Sequence, residues 1–432
     1  MLDLQFIRDN PELVATKSRQ KGYEVDIKRL IDLDRQLREI LPELEELQRQ
    51  RNELASSVKA GAPTPEQVEA GKKLKQAVSD HETKSIKTRQ ELDNLLKTVP
   101  NLPFDDVPVG TSEADNKVVK EWGNRIEYDF QPKTHWEIAE RRDLIDKQRA
   151  AKIAGSRFAY IKGDLVSLQF AVIQFVMTTL TNERLIENII QNNGLNVVAK
   201  PFTPILPPAM INTPAYEATS RLDAEEVTYK LADDELWLNA SAEHSLCNMY
   251  MNEILPEEML PIRYIGYATS FRREAGTYGK DNDGILRMHQ FDKLEMETFS
   301  VSESGFQEHL LLIAIQEYLV QQLNLPYQLI EKCSADIGKA NARGFDINTW
   351  MPGQKAYRET HTADYMTDYQ ARRLKTRVRR SNGSTELVHT NDATAFALGR
   401  IMIAIMENNQ THDGHVMIPE VLQQFMSGKE EI

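Results

Sequence analysis

The chain has 432 residues, 41% of them hydrophobic, and a formal charge of −13, enough for two or three globular domains with a substantial core. It holds no apolar run of about 18 residues, and charges interrupt its opening MLDLQFIRDN, so neither a membrane span nor a secretory signal is expected and the expected location is the cytoplasm. Cys247 and Cys333 are too few for a zinc site or a disulfide framework, which fits idle thiols in a reducing compartment, and the acidic balance argues against nucleic acid except through a local patch.

The first hundred residues have a helical period. Leu30, Leu33, Leu37, Ile40, Leu44, Leu47, Leu54 and Val58 fall on alternating steps of three and four, with only Arg51 breaking the series. Pro42 lies inside this seam and is expected to bend or loosen the helix. A turn at 60–65, Ala-Gly-Ala-Pro-Thr-Pro, precedes a second seam of Leu74, Val78, His81, Ser85, Thr88, Leu92, Leu95 and Val99, whose middle is polar. The pattern predicts an antiparallel helical hairpin over about 27–98, with helices of about 35 residues and ~50 Å. Lys59, Lys72, Lys73, Lys75, Lys84, Lys87 and Arg89 lie around its tip and along the second helix. They read either as a solvated face or as a surface that tracks phosphates.

A Pro-rich connector, Pro100 to Gly110, separates this arm from a mixed body. There, Leu165 to Asn193 reads as one long helix, with further helices at Ser302–Leu323 and Ala395–Asn408. Strands are predicted at Val197–Ile205, Leu236–Asn239, Tyr264–Phe271, Gln290–Phe299, Tyr327–Ile330 and Phe345–Trp350. Strands with few helical crossovers favour an antiparallel α+β body. The stretch Phe271–Phe299, FRREAGTYGKDNDGILRMHQFDKLEMETF, combines a strand with an Arg, a Gly/Asp/Asn loop at Gly276–Gly284, and a returning strand from Arg287. Such a hairpin suits a nucleotide, with Arg for phosphate and Phe for the base.

These segments resemble seryl-tRNA synthetases of the bacterial type over essentially the whole chain. The resemblance is carried by MLDLQFIRDNPELV, the arm, NLPFDDVPVG, GSRFAYIKGD, IPEVLQQFM and the three class II motifs in order: about 180–208 ending at Pro207-Pro208, about 264–299, and about 390–408 with Ala397-Leu398-Gly399-Arg400. It implies a tRNA-binding domain at 1–110, a class II catalytic domain at 111–432 with a six- or seven-stranded antiparallel sheet flanked by helices, and a homodimer formed through motif 1. It also implies the reaction: L-serine and ATP give seryl-adenylate, and serine passes to the 3′ end of tRNA(Ser), which the arm grips. Mg²⁺ is implied as cofactor, and no zinc.

The attacking group is a carboxylate, which needs no general base, so positioning and charge neutralisation must supply catalysis. The resemblance assigns Arg272 and Arg400 to catalysis, with Arg272 bridging the serine carboxylate and the α-phosphate. It assigns Arg273, Glu274, Arg287, Met288, Phe291, Glu359, Thr360, His361, Thr362 and Arg400 to ATP, with Glu359 and Thr362 holding the metal and His361 itself structural or exposed. Ser241, Ala242, Glu243, Glu295, Asp392 and Thr394, with Arg272, are assigned to serine: Glu243 to its ammonium, Glu295 and Thr394 to its hydroxyl. Three stretches depart from the family pattern, at Asn239–Glu243, Thr360–Asp364 and Thr390–Ala395, and Asp346-Ile347-Asn348 stands for Asp-Leu-Glu. Two other readings are a divergent paralogue that adenylates another small amino acid and a non-catalytic tRNA-binding regulator. The phosphate-facing and metal-facing groups argue against the regulator.

Overall fold

The computed structural model describes residues 1–58, 63–220, 228–274 and 284–432, and it divides into two compact units, Met1–Leu102 and Pro103–Ile432. The first unit begins with α1 (Leu4–Asp9) and α2 (Pro11–Gln20), α1 being capped by Asp3, which accepts from the Gln5 and Phe6 amides. The hairpin follows as α3 (Ile27–Val58) and α4 (Pro65–Thr98), helices of 32 and 34 residues. Helix α4 starts at a capping box in which Thr64 and Gln67 satisfy each other's backbone amides, with Pro65 in the first turn.

Leu30, Leu33, Leu37 and Ile40 are buried, as are Val78, Ser85, Thr88, Leu92 and Leu96, so the polar middle of the second seam is packed through its two small residues. Leu96 is more deeply buried than the predicted Leu95. Toward the tip Leu44, Leu47, Leu54 and Leu74 are only half-buried, which leaves that end to cross-hairpin polar bonds such as Gln48 to Glu82 at 3.1 Å and His81 to Glu43 at 3.3 Å. Pro42 does not interrupt α3; it sits on the exposed side of the helix. Lys59 and the first half of the 60–65 turn lie outside the described residues.

The second unit is built on one eight-stranded sheet. Its strands are β1 (Lys117–Trp122), β2 (Thr203–Ile205), β3 (Ile262–Phe271), β4 (Gln290–Ser300), β5 (Tyr327–Glu331), β6 (Arg343–Met351), β7 (Ala356–Thr367) and β8 (His389–Ala397), in the spatial order β1-β5-β6-β7-β8-β4-β3-β2. Seven of them are antiparallel throughout, and the short β2 adds an eighth, parallel to β3. A single apolar core joins this sheet to α6 (Asp164–Leu180), α7 (Glu183–Asn192), α8 (Ser302–Gln322) and α9 (Leu398–Asn408). A further short helix, α5 (His135–Arg142), contributes Ile138 and Ala139 to it.

Several boundaries differ from the sequence reading, each for a local reason. The helix expected over 165–193 is two helices, α6 and α7, bent by 75°. Asn182 breaks it by accepting from the Arg184 and Leu185 amides as the cap of α7. The strand expected from Val197 is only Thr203–Ile205, because the prolines at 201 and 204 limit ladder pairing. Ala395–Ala397 finish β8, and α9 starts at Leu398; a short apolar run does not distinguish a buried strand from a helix. The returning strand starts at Gln290, not Arg287. Among the described residues no single helix is long and apolar enough to cross a membrane.

Candidate functional site

One face of the sheet carries the chemistry. Alternation along β4 puts Phe291, Lys293, Glu295 and Glu297 on the same side, and antiparallel pairing sets Thr394 of β8 opposite Glu295 and Asp392 opposite Glu297. Glu359 and Thr362 are three apart, a spacing that sends side chains to opposite faces of a regular strand. The β6–β7 register shifts at this point: Ile347 pairs with His361 but Asn348 pairs with Glu359, leaving Thr360 as the extra residue. That bulge returns Glu359 to the side of Thr362.

Arg272 follows β3 directly. Its backbone amide donates to the His289 carbonyl at 2.9 Å, its own carbonyl bonds His289 Nδ1 at 2.9 Å, and its Nε donates to the Ala240 carbonyl at 3.0 Å. The guanidinium carbon stands 5.3 Å over the Phe291 ring. Among the described residues no hydrogen bond takes its two terminal nitrogens, so the fork is held at its base and open at its end. A cleft of about 670 Å³ lies before it. Arg272, Glu274, Arg287, Met288, Phe291, Glu359, Thr360, Thr362, Thr394 and Arg400 line that cleft, with Lys293, Ile285 and Leu286, which the sequence reading did not single out.

Not every predicted residue is there. Arg273 points elsewhere, over the Tyr229 ring at 5.7 Å. His361 is neither exposed nor in the cleft: its ring is buried against Phe396, with centroids 5.2 Å apart, and burial pushes its pKa down to about 3. Thr360 lines the cleft, but its hydroxyl is committed to Thr349 at 2.7 Å and to His361 Nδ1 at 2.8 Å. Most of the predicted loop at Gly276–Gly284 lies outside the described residues.

Arg400, in the first turn of α9, binds both the backbone carbonyl and the carboxylate of Glu359, at 2.9 and 2.8 Å. Half of the Glu359 side chain is exposed, and although desolvation by the cleft walls works to raise its carboxyl, Arg400, Lys332 and Arg272 outweigh this and hold it below the usual carboxylate range. Arg287 pairs with Glu274 at 3.3 Å.

Deeper in, Ser241, Ala242 and Glu243 are buried around the ammonium of Lys293. Lys293 Nζ donates to Ser241 Oγ at 2.9 Å and stands 2.6 Å from Glu295 and 3.7 Å from Glu243. Burial alone would discharge Lys293; Glu243 and Glu295 reverse that and raise its pKa. Glu295 is pushed well above the ordinary range, by burial first and then by the Glu243 and Asp392 carboxylates, against the pull of Lys293. The pocket therefore brings together the predicted serine residues around a lysine whose only sequence signal is its place two residues before Glu295 on the same face.

Two supports come from behind. Gln316 of α8 donates to the carbonyls of Thr362 and Thr394, at 2.7 and 2.8 Å, tying together the two hydroxyl positions on adjacent strands. Glu407 of α9, fully buried, accepts from the His135 amide and Nδ1, the Gly353 amide and the Gln354 side chain, at 3.0, 3.1, 2.9 and 3.1 Å. With its proton on Nδ1, His135 accepts the Ile285 amide at Nε2, 3.3 Å away. Gly284 has φ +68° and a Cβ there would run into that Nε2, so the chain entering the Arg287 segment is fixed by a glycine, a histidine and a buried glutamate.

Known proteins match both units. Residues 1–103 match the seryl-tRNA synthetase N-terminal domain, and residues 227–409 match the tRNA synthetase class II core domain (G, H, P, S and T). The serine–tRNA ligase of Syntrophotalea carbinolica is 38% identical over 437 residues, and that of Nitrosopumilus maritimus 35% over 438, each covering 100% of both chains. Among solved structures, the seryl-tRNA synthetase of Pyrococcus horikoshii complexed with ATP has a TM-score of 0.87 at 34% identity, covering 100% of this chain and 99% of its own. The cytoplasmic serine–tRNA ligase of Naegleria fowleri in complex with AMP has a TM-score of 0.84 at 25% identity, covering 100% and 98%. With relatives of this identity running the full length of the chain and both of its units matched, the protein belongs to the seryl-tRNA synthetase family, class II ligases that use ATP to join serine to tRNA.

Proposed function

We propose that the cleft activates L-serine with ATP in the following way, and the observation that carries the proposal is the Arg272 fork, fixed at Nε and open at its end. Arg272 holds the serine carboxylate and the α-phosphate in contact, so that attack is in line and the developing charge is met by a planar pair of donors. Adenine lies against Met288 and Phe291, the latter already carrying Arg272 over its ring. Arg287 and Arg400 face the outer phosphates. Glu243 takes the substrate ammonium, while Glu295 and Thr394 take its hydroxyl. Alanine leaves those buried groups unpaired and is rejected for that reason; threonine is excluded by the packed wall of Ala242 and Ser241.

Glu359, held ionised, and the Thr362 hydroxyl fit Mg²⁺, which takes few protein oxygens and completes its shell with phosphates and water. They would hold it, and it would neutralise the outer phosphates.

The arm is the tRNA grip. Lys72, Lys73, Lys75, Lys84, Lys87 and Arg89 are all exposed on α4, with no ion pair among the described residues. Arg49 and Arg35 of α3 are instead neutralised locally, Arg49 by Glu46 and Glu53, Arg35 by Asp32. Unpaired cations along one helix suit the phosphates of an RNA recognised by shape. The segment 180–208 forms a homodimer contact, supported by the exposure of Val198 and Leu206 at 57% and 79%. The site of action is the cytoplasm.

The test is ATP–pyrophosphate exchange with each of the twenty amino acids, followed by charging of tRNA. Exchange should depend on serine. Reversing Lys72, Lys73, Lys84 and Lys87 to Glu should spare exchange and lower charging at least tenfold at moderate salt. Exchange driven by another amino acid would refute the substrate, and undiminished charging would refute the arm.

A further inference from the structure

Beside the phosphate-facing end of the cleft opens a larger cavity of about 1550 Å³, sharing Arg287, Glu359, Thr362 and Arg400 with it. On the reading above, this is where the outer phosphates of ATP arrive. Charges of both signs line it, with Arg287, Arg358 and Arg400 beside acidic groups that include Asp346 and Glu359. Asp346 of β6 and Asp364 of β7 reach toward one point there, and without a cation between them they would repel each other and an arriving polyphosphate.

Lys332, just after β5, answers this charge. It is buried, and its ammonium stands 2.8 Å from Thr362 Oγ1, 2.9 Å from Asp364 and 3.3 Å from Asp346. The ammonium donates to Thr362 and is held between the two carboxylates as ion pairs, so its charge is already taken up within the chain. Thr362 is positioned by this contact: its hydroxyl oxygen accepts from Lys332 while it lines the cleft. The cradle is also built in the backbone. A Cβ on Gly344, the residue paired with Asp364 across β6 and β7, would collide with both the Lys332 stem and the Asp364 carboxylate, so glycine there is what lets the lysine cross the strand.

Two carboxylates and a hydroxyl around one positive centre are the donors that a hard divalent ion takes. We propose that Lys332 is a resident cation of the nucleotide site: its ammonium fills a cradle of Asp346, Asp364 and Thr362 that would otherwise bind a divalent ion, and it holds the Thr362 hydroxyl at the cleft. The chain thus carries one positive charge of the site covalently. Lys332 is a positioning residue, acting through Thr362 and through the field at the phosphates. This rests on the ATP reading of the cleft.

Three full-length variants test it: K332A, which empties the cradle; K332M, which fills it without charge; and G344A, which pushes the lysine out. The readouts are Mn²⁺ bound per chain at saturating ATP, from the EPR signal of free Mn²⁺, and ATP affinity in EDTA by calorimetry. K332A should bind one more Mn²⁺ per chain than wild type, and K332M no more than wild type. ATP affinity in EDTA should fall about tenfold in K332M and in G344A, the size of one unit charge at this range. Equal Mn²⁺ counts in wild type and K332A overturn the cradle. An unchanged metal-free affinity in K332M or G344A overturns the resident charge, and these two arms stand even where K332A does not fold. A wild type that binds no ATP removes the parent reading and this one with it; a wild type that binds ATP, matched by all three variants, overturns this one alone.

Discussion

Replacing Glu407 by leucine removes an acceptor that serves four donors, two of them on His135, and so tests whether the segment around Arg287 is held from behind. The side chain is fully buried, and its partners include the His135 amide and His135 Nδ1–H in the interior and the partly buried Gly353 amide. Leucine has similar volume, so the loss is of hydrogen bonds, not of packing. At ~1–3 kcal/mol for each buried donor left unpaired, and with partial relaxation, the cost is about 4 kcal/mol. An unfolding entropy of ~2.1 cal/mol/K per residue over roughly 330 residues turns that into a fall of about 6 °C in the unfolding midpoint of the second unit. E407Q keeps one acceptor oxygen and should lose about half as much. The functional consequence follows through His135. Once its Nδ1–H has no acceptor, the ring is free to turn, and Nε2 no longer fixes the Ile285 amide two residues before Arg287. KM for ATP in pyrophosphate exchange should therefore rise about tenfold while KM for serine, whose pocket rests on β4 and the Ser241 turn, stays within twofold. Calorimetric scans and exchange kinetics at varied ATP and varied serine check both halves. A midpoint within 1 °C of wild type, or equal rises in the two KM values, would refute the relay.

Three further outcomes are expected. G284A adds a methyl where φ is +68° and His135 Nε2 is in the way, so it should reproduce the ATP effect of E407L without leaving a buried carboxylate changed; equal KM values for wild type and G284A would contradict the anchoring. The buried pair of Arg263 and Glu308, bonded at two 2.8 Å contacts with both side chains almost fully enclosed, should cost ~3–5 kcal/mol when only one partner is made apolar, and far less in the double variant R263M/E308L, as read by denaturant unfolding of all three. His309 and His361 are buried neutral, with burial pushing each to about 3. Their folded values lie below the unfolded ~6.5, so their contribution is present above pH 6.5 and is lost as pH falls toward 3, at ~1.4 kcal/mol per pH unit for each group. Unfolding from pH 7 to 4 should flatten by one proton in H309Q, and an unchanged slope would contradict it.

Why some of the site was legible in the sequence and some was not comes down to which interactions are local. The hairpin arm was readable because its packing repeats every three or four residues, down to Ser85 and Thr88 being small where two helices meet. The break at Asn182 was also written locally, as Thr-Asn-Glu before an apolar run, but the stronger apolar period across it hid it. Arg272, Glu295 and Arg400 stood out through family motifs; alternation along β4 places Glu295, the end of β3 delivers Arg272, and the first turn of α9 delivers Arg400. Lys293 and Lys332 carried no such signal. A lysine in a strand reads as solvent-facing until the register shows carboxylates around it: Glu243 and Glu295 for the one, Asp346 and Asp364 for the other. The bulge at Thr360 is likewise a property of pairing between β6 and β7, and without it Glu359 and Thr362 would face apart. His361 shows the converse, since a residue next to two functional positions is turned by that same pairing into the core against Phe396. The two buried lysines thus explain how one face of a sheet tolerates Glu295, Glu297, Asp392, Asp364 and Asp346 so close together. A face that must receive a substrate ammonium, a carboxylate and a triphosphate needs charges of both signs held in fixed places, and here much of the positive charge is fixed by carboxylates of the chain before any ligand arrives.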